Sequence, residues 1–331
     1  VKSILVIRLG AMGDVLMTIP TVRALKETYP DAVITYVTGK GLTSALSGLP
    51  FLAQVREFDK TLAGFREMAP WLRRLEFDLC VNLQPSLKTR LLALASGAKR
   101  TLTYRRDDAL HAVDNALATL LPLGIQREKC SRHTEFSIPD DAREKAAALL
   151  AERGIGPSEK LILVTPGATA PSRQWPVANL VAVLDLFAEQ HPDWRVGFFG
   201  GVGDKALAEE AMSKVARPER VLNFIGATNL KESGALLARA DALMTVNTGP
   251  MHLAAAVGCP IVALFGAWSA ERTAPAPPPP AVPRGRIPLT LTSAEGLDCF
   301  PCFEKTCRRG DTACLARLAP ETILEALEQQ V

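Results

Sequence analysis

Short apolar runs, each closed by a polar or glycine-bearing turn and followed by helically spaced apolar residues, recur along the chain. Residues 3–7 (SILVI) form a largely β-branched run with no polar break, as a parallel strand covered on both faces requires. Residues 32–37 (AVITYV), 55–58 and 78–83 (DLCVNL) repeat the pattern, and a β-like TLTY follows at 101–104. After the first run, Val15, Leu16, Ile19, Val22 and Leu25 carry the spacing of one helix. Such alternation predicts an open parallel α/β sheet with its ligands at the carboxyl ends of the strands. An alanine-rich amphipathic helix at 142–153 then leads into GIGPSEK, a glycine- and proline-marked boundary. A second alternation begins there, with strands expected at 161–165, 195–199, 221–225, 242–246 and 261–264. The organisation read from this is a first α/β domain over 1–157, a second over 158–318, and a last helix within 319–331 opened by proline and acid. A length of 331 residues agrees with two domains.

The turns carry the candidate chemistry. Residues 242–266 read as strand, tight turn, short helix, strand, and the turn is Asn247-Thr248-Gly249-Pro250. A helix start offers unpaired N–H groups and the positive end of the dipole, so a phosphate is its natural ligand. Pro250 has no N–H, which leaves Gly249, Met251 and His252 as donors, with the His252 ring one turn in. An ordinary turn with a surface histidine is the plainer reading. Two further turns after strands of the second half join this one. Pro166 to Pro176 contains Thr169 and Arg173, and Gly200 to Lys205 contains Gly201, Asp204 and Lys205. Thr228 lies in the turn after the third strand of that half. Three ligand-grade loops on one sheet edge predict a nucleotide site made of Thr169, Arg173, Gly201, Asp204, Lys205, Thr228, Asn247, Thr248, Gly249 and His252.

In the first half, Arg8-Leu9-Gly10-Ala11-Met12-Gly13-Asp14 follows the first strand. Its G-x-x-G spacing lacks the dinucleotide fingerprint, which disfavours a nicotinamide enzyme. Asp14 is at home there simply as an acid in a first helical turn. Arg8, Lys40, Lys88 and the Lys99-Arg100 pair are expected at strand ends, where as a group they would receive an anionic acceptor, although each taken singly is an ordinary solvated cation.

Composition narrows the class. Apolar residues make up 48% and charged residues 22%, with a net charge of +3, so nothing points to nucleic acid. Apolar runs stop well short of a membrane span and the chain opens directly on a strand, so a cytoplasmic protein without an anchor is expected. Seven cysteines suggest reduced thiols rather than a disulfide framework. Pro277 to Pro280 reads as an extended linker over the surface. Cys299, Cys302, Cys307 and Cys314 meet the ligand count of a structural zinc, but the second pair is not spaced as in a zinc ribbon. Inert or redox-labile thiols packing a loop are the other reading.

IRLGAMGDVLMTIPTVRALKETYPDAVITYVT, TPGATAPSRQWP and VNTGPMHLAAAVGCPIVALFG together resemble glycosyltransferase family 9, the ADP-heptose:lipopolysaccharide heptosyltransferases, over nearly the whole chain. CFPCFEKTCRRGDTACLARLAPETIL resembles the cysteine-containing tail of the heptosyltransferase II-like branch. The resemblance implies a GT-B fold, two Rossmann-like domains facing across a cleft, with the last helix crossing back to the N-terminal domain. It places the nucleotide-sugar on the C-terminal half and a lipid A/Kdo-containing lipopolysaccharide core acceptor on the N-terminal half, against Arg8, Gly10, Gly13, Lys88 and Arg100. It implies inverting transfer from ADP-heptose at the cytoplasmic face of the inner membrane. Asp14 matches the family's general base, Arg173 stands where a lysine commonly meets the diphosphate, and Thr248, Gly249 and His252 match its phosphate loop. Asn247 replaces a more frequent aspartate, and the proline-rich insertion is atypical. No DxD-like pair is present in the nucleotide loops, in keeping with catalysis that requires no metal or other cofactor. A nucleotide-sugar epimerase, or a binding protein using the cysteine tail as an interaction module, are the readings from other classes.

Overall fold

Each of the apolar runs named above is a parallel strand in the computed structural model, which describes residues 1–277 and 288–331. The chain divides into two units, Val1–Ser137 and Ile138–Val331.

The first unit holds β1 (Ser3–Ile7), β2 (Val33–Gly39), β3 (Gln54–Phe58), β4 (Leu79–Asn82) and β5 (Arg100–Thr103), ordered β3-β2-β1-β4-β5. Ile4 to Ile7 are wholly buried, which is why β1 tolerates no polar residue. Ile7 pairs with Val37 on one side and Asn82 on the other, so the turns after β1 and β4 leave the sheet side by side. The single helix expected after β1 is two, Met12–Met17 and Ile19–Thr28. Pro20 cannot donate into a continuous helix, and the Thr18 hydroxyl meets the Val15 carbonyl and the Tyr36 hydroxyl instead. The apolar stripe is unaffected: Val15, Leu16, Ile19, Val22 and Leu25 are all buried.

The second unit holds β6 (Leu161–Val164), β7 (Arg195–Phe198), β8 (Val221–Asn223), β9 (Ala242–Val246), β10 (Ile261–Leu264) and β11 (Leu289–Leu291), ordered β11-β10-β9-β6-β7-β8. Its core is built from Ile162, Val164, Phe198, Met244, Val246, Val262 and Leu264 of the strands together with Leu180, Val183 and Phe187 of the helix Val177–Gln190. Three residues long and half exposed, β11 carried no sequence signal.

Two boundary expectations change. The helix Asp140–Glu152 packs on the helix Leu230–Arg239 of the second unit and buries Ala142, Ala146 and Leu150. The division therefore falls after residue 137, not after 157: GIGPSEK ends a helix, and the helix's apolar stripe takes its partner downstream. The last helix, Pro320–Gln330, packs on Val177–Gln190 and on β9, β10 and β11, burying Ile323, Leu324, Ala326 and Leu327. That apolar face is used within its own unit, which corrects the crossing expected of it. The proline cluster lies outside the described residues beyond Pro277.

The start of the helix Leu230–Arg239 is fixed by a reciprocal cap. Asn229 accepts from the Lys231 and Glu232 amides at 2.9 and 3.1 Å, and Glu232 accepts from the Asn229 amide at 2.9 Å. Asn229→Ala is expected to cost about 1 kcal/mol of unfolding free energy, read as a lower denaturant midpoint at constant slope. An unchanged midpoint would show that the cap contributes nothing.

Candidate active site

In each sheet the strand order reverses beside the first strand, between β1 and β4 in the first unit and between β6 and β9 in the second. Loops diverge at such a point and leave a crevice at the carboxyl edge. The candidate residues of each unit gather there.

In the first unit the Arg8 guanidinium bridges the two diverging loops. It donates to the Leu83 carbonyl at 2.6 Å and pairs with Asp14 Oδ2 at 2.8 Å, while the Leu9 amide donates to Gln84 Oε1 at 2.8 Å. Gly10 adopts a φ of +127°, which side-chain-bearing residues rarely take. Gly39 lies so close under this turn that a Cβ there would sit 2.3 Å from the Leu9 carbonyl oxygen. Asp14 Oδ2 also accepts from the Ala11 amide at 3.0 Å, so one carboxylate oxygen caps the helix start. The Asp14 side chain is 41% exposed. Buried Asn82 Nδ2 and Arg8 Nε have no hydrogen-bond partner among the described residues. A cavity of about 590 Å³ opens beside the turn, lined by Gly10, Met12, Lys40, Asp59 and Lys60. Lys88 reaches its rim by donating to the Lys60 carbonyl at 2.7 Å.

Arg100 does not join them. It pairs with Leu79 at the start of β4 and donates to the Pro122 carbonyl at 2.8 Å, at the amino edge of the sheet and away from Arg8 and Asp14. Lys99 is there too, paired with Asp78 at 2.7 Å. These two begin a strand where the sequence reading had them at a strand's end. The cations at the carboxyl edge that it did not select include Lys60, after β3, and Arg105 and Arg106, after β5.

In the second unit Arg173, after β6, donates to the Asn247 carbonyl after β9 at 3.0 Å, and its guanidinium lies 4.7 Å from the Trp268 ring centroid. Residues 74 positions apart are thus held as one site. Thr248 is the backbone cap of the helix Gly249–Val257, yet its side chain makes no cap bond and turns back to the Val246 carbonyl at 3.2 Å. Thr248 therefore does not cap the amides that open this helix. His252 is buried in the same turn. Asn247 is also buried, and its amide donates to Thr273 Oγ1 at 3.0 Å, bracing the loop.

The remaining predicted donor residues share the edge but differ in orientation. Asp204 turns inward and accepts from the Gly201 amide at 3.0 Å, and burial raises its carboxyl above the usual range. Gly201 faces open space, Thr169 is exposed, and Thr228 bonds Ser233 at 2.7 Å. Lys205 lies 3.8 Å from Glu209 along its own helix, on the surface. Lys231, which the sequence reading passed over, sits at the same edge with its ammonium pushed down to about 8 by desolvation. Its only signal was a position in the first turn of a helix that follows a strand. Trp268 and Arg272 were also missed, the latter stacking 4.6 Å from the Phe303 centroid.

The model of glycosyltransferase family 9 (heptosyltransferase) matches residues 65–312. The chain belongs to that family. Among curated relatives of this family 9 glycosyltransferase, the lipopolysaccharide core heptosyltransferase OpsX of Haemophilus influenzae is 25% identical, over 83% of this chain and 82% of its own length. Lipopolysaccharide heptosyltransferase 2 of Salmonella typhimurium is 24% identical, over 98% of this chain and 97% of its own. The solved family 9 glycosyltransferase of Veillonella parvula superposes with a TM-score of 0.84 at 24% identity, covering 99% of this chain and 97% of that one. The E. coli ADP-heptose heptosyltransferase II does so at 0.79 and 21%, covering 99% and 98%. The fold is GT-B, built from two Rossmann-like units. Among the described residues no helix is long and apolar enough to cross a membrane. Nor do three or more His, Cys, Asp or Glu side chains form a group that could hold a metal ion, so the structural zinc read from the four tail cysteines lacks support.

Proposed function

We propose that this glycosyltransferase moves heptose from an ADP-linked donor to the inner core of lipopolysaccharide with inversion at the anomeric carbon. The observation that carries the reading is the meeting of Arg173 with the uncapped helix start at Gly249, at the switch point of the second sheet. A guanidinium beside a helix start that its own cap side chain leaves open is a diphosphate cradle. Relatives named lipopolysaccharide heptosyltransferases, and the E. coli heptosyltransferase WaaC solved with ADP and with ADP-2-deoxy-2-fluoro heptose, support the donor and acceptor classes.

In this reading Asp14 removes the proton from the acceptor hydroxyl as its oxygen bonds to the anomeric carbon. The bond from that carbon to the diphosphate breaks in the same displacement. Arg173 and the amides of Gly249, Met251 and His252 take up the negative charge growing on the departing ADP. Gly201 and Thr169 line the donor's approach, and Asp204, Asn247 and Thr228 hold loops in place. Arg8, Gly10, Gly13 and Lys88, joined by Lys40 and Lys60, would receive the anionic acceptor. The enzyme would work at the cytoplasmic face of the inner membrane, where such an acceptor is presented.

ADP is expected to raise the thermal midpoint more than UDP or GDP at equal concentration. At a hundred times its dissociation constant it adds about 2.7 kcal/mol. Equal shifts from all three nucleotides, with no transfer from ADP-heptose to a heptose-accepting core fragment, would overturn the assignment.

A further inference from the structure

The proposed transfer leaves the cysteine-rich tail unused. Cys299, Cys302 and Cys307 come from one loop and Cys314 from the short helix Ala313–Ala316 that follows it, yet all four line a single cavity of about 20 Å³ together with Ser172. That space holds about one water molecule, so the thiols that line it face one another across a small gap, and a larger reagent meets them from the outer side of the loop. All four are free and none is fully buried, unlike Cys80 and Cys259. The loop backbone is held in unusual shapes: Phe303 and Thr312 adopt φ values of +54° and +44° without being glycine.

We propose that this loop is a thiol-modification site for small organic disulfides, in which Cys307 attacks and Cys302 or Cys314 closes an intramolecular disulfide that disturbs the donor loop. The surroundings of the thiols differ in the required sense. Partial burial acts to raise the Cys307 thiol, but backbone hydrogen bonding from Thr312, Arg309 and Gly310 together outweighs it and holds the thiol below its ordinary value. Cys314 is pushed up to about 11, chiefly by burial and next by the charge of Cys302 and Cys307, so it stays protonated until needed. Cys80 is pushed up to about 12 by burial and serves as an internal unreactive reference.

The chemistry balances without a metal. The Cys307 thiolate attacks one sulfur of R–S–S–R, the S–S bond breaks, and one RS⁻ leaves. The second cysteine gives its proton to solvent, attacks Cys307 Sγ and expels the second RS⁻. Two protein thiols are oxidised and one small disulfide is reduced to two thiols.

The link to the donor side is direct. The Ser172 amide donates to the Lys305 carbonyl at 3.1 Å and its hydroxyl donates to the Glu304 carbonyl. Both carbonyls lie between Cys302 and Cys307, and Arg173 is the next residue after Ser172. An S–S bond of about 2.05 Å with its fixed torsion between Cys302 and Cys307 closes the segment that carries carbonyls 304 and 305, and with Cys314 it pulls on one end of that segment, so a shift there is passed to Ser172.

The test incubates the full-length reduced protein with excess oxidised glutathione, maps adducts by mass spectrometry, and follows hydrogen exchange of the 170–175 peptide. We expect Cys307 to be modified at least tenfold faster than Cys80 or Cys259, followed by loss of two thiols per chain and faster exchange at 170–175. Dithiothreitol should reverse all three. Cys307→Ser should abolish the fast phase and the exchange change while keeping the melting temperature of the reduced protein. Equal modification rates in Cys307→Ser, oxidation without any exchange change, or tail thiols that react only after a chelator is added would each overturn the proposal. Weakening of ADP binding by threefold or more in the oxidised protein is the functional consequence, and that arm alone rests on the donor reading. Failure of the reduced protein to bind ADP would sink that reading, while the adduct map and exchange data decide this one.

Discussion

Asp14→Asn is expected to lower kcat by about 10²- to 10⁴-fold, the usual worth of a general base, with ADP affinity unchanged. The local geometry makes this substitution discriminating. Asp14 already has a structural role, since Oδ2 accepts from the Ala11 amide and pairs with Arg8. An asparagine carbonyl keeps the first of these bonds, and asparagine caps helices as well as aspartate does. What it loses structurally is an ion pair whose acidic partner is 41% exposed, worth at most about 1 kcal/mol after solvent screening. A helix-capping role alone therefore predicts a melting curve and a turnover both close to those of the parent. A base predicts that turnover collapses while the melting curve barely moves. Initial rates with a heptose-accepting core fragment, alongside a melting curve for each protein, separate the two. Near-parental turnover in the asparagine variant returns Asp14 to structure.

Arg173→Ala should weaken ADP binding by roughly 10- to 100-fold, from the loss of a charge-assisted contact worth about 1.5–3 kcal/mol. The side chain also ties the loop after β6 to the Asn247 carbonyl and stacks on Trp268, so the alanine variant loses the cradle's shape as well as its charge. Arg173→Lys keeps the charge but neither the planar stack nor the fork, and should fall between parent and alanine. Calorimetry with ADP measures all three. Unchanged affinity in the alanine variant would move the diphosphate to another part of the edge.

Read alone, the sequence determined every strand but β11 and many of the turns that follow them. A strand buried on both faces is apolar nearly throughout, as in residues 4–7 and in 242–246, where the one polar residue, Thr245, is hydrogen-bonded, and such runs are visible without neighbours. Glycine turns into helices are equally local, so the loops holding Asp14, Gly201 and Gly249 were legible as turns from strand to helix. The tertiary structure decided what depends on which strands are neighbours. Arg173 and Asn247 meet because β6 lies beside β9, and Arg8 meets Leu83 because β1 lies beside β4. Arg100 was misplaced because a cation next to a strand reads the same from either end, whereas parallel register sends it to the amino edge. The helices Asp140–Glu152 and Pro320–Gln330 show the same limit. Each announces an apolar face in sequence, but the partner of that face is a property of the packed core. The four tail cysteines were countable from the first, and only folding could bring them around one cavity against Ser172, because loop closure obeys contacts that spacing does not encode.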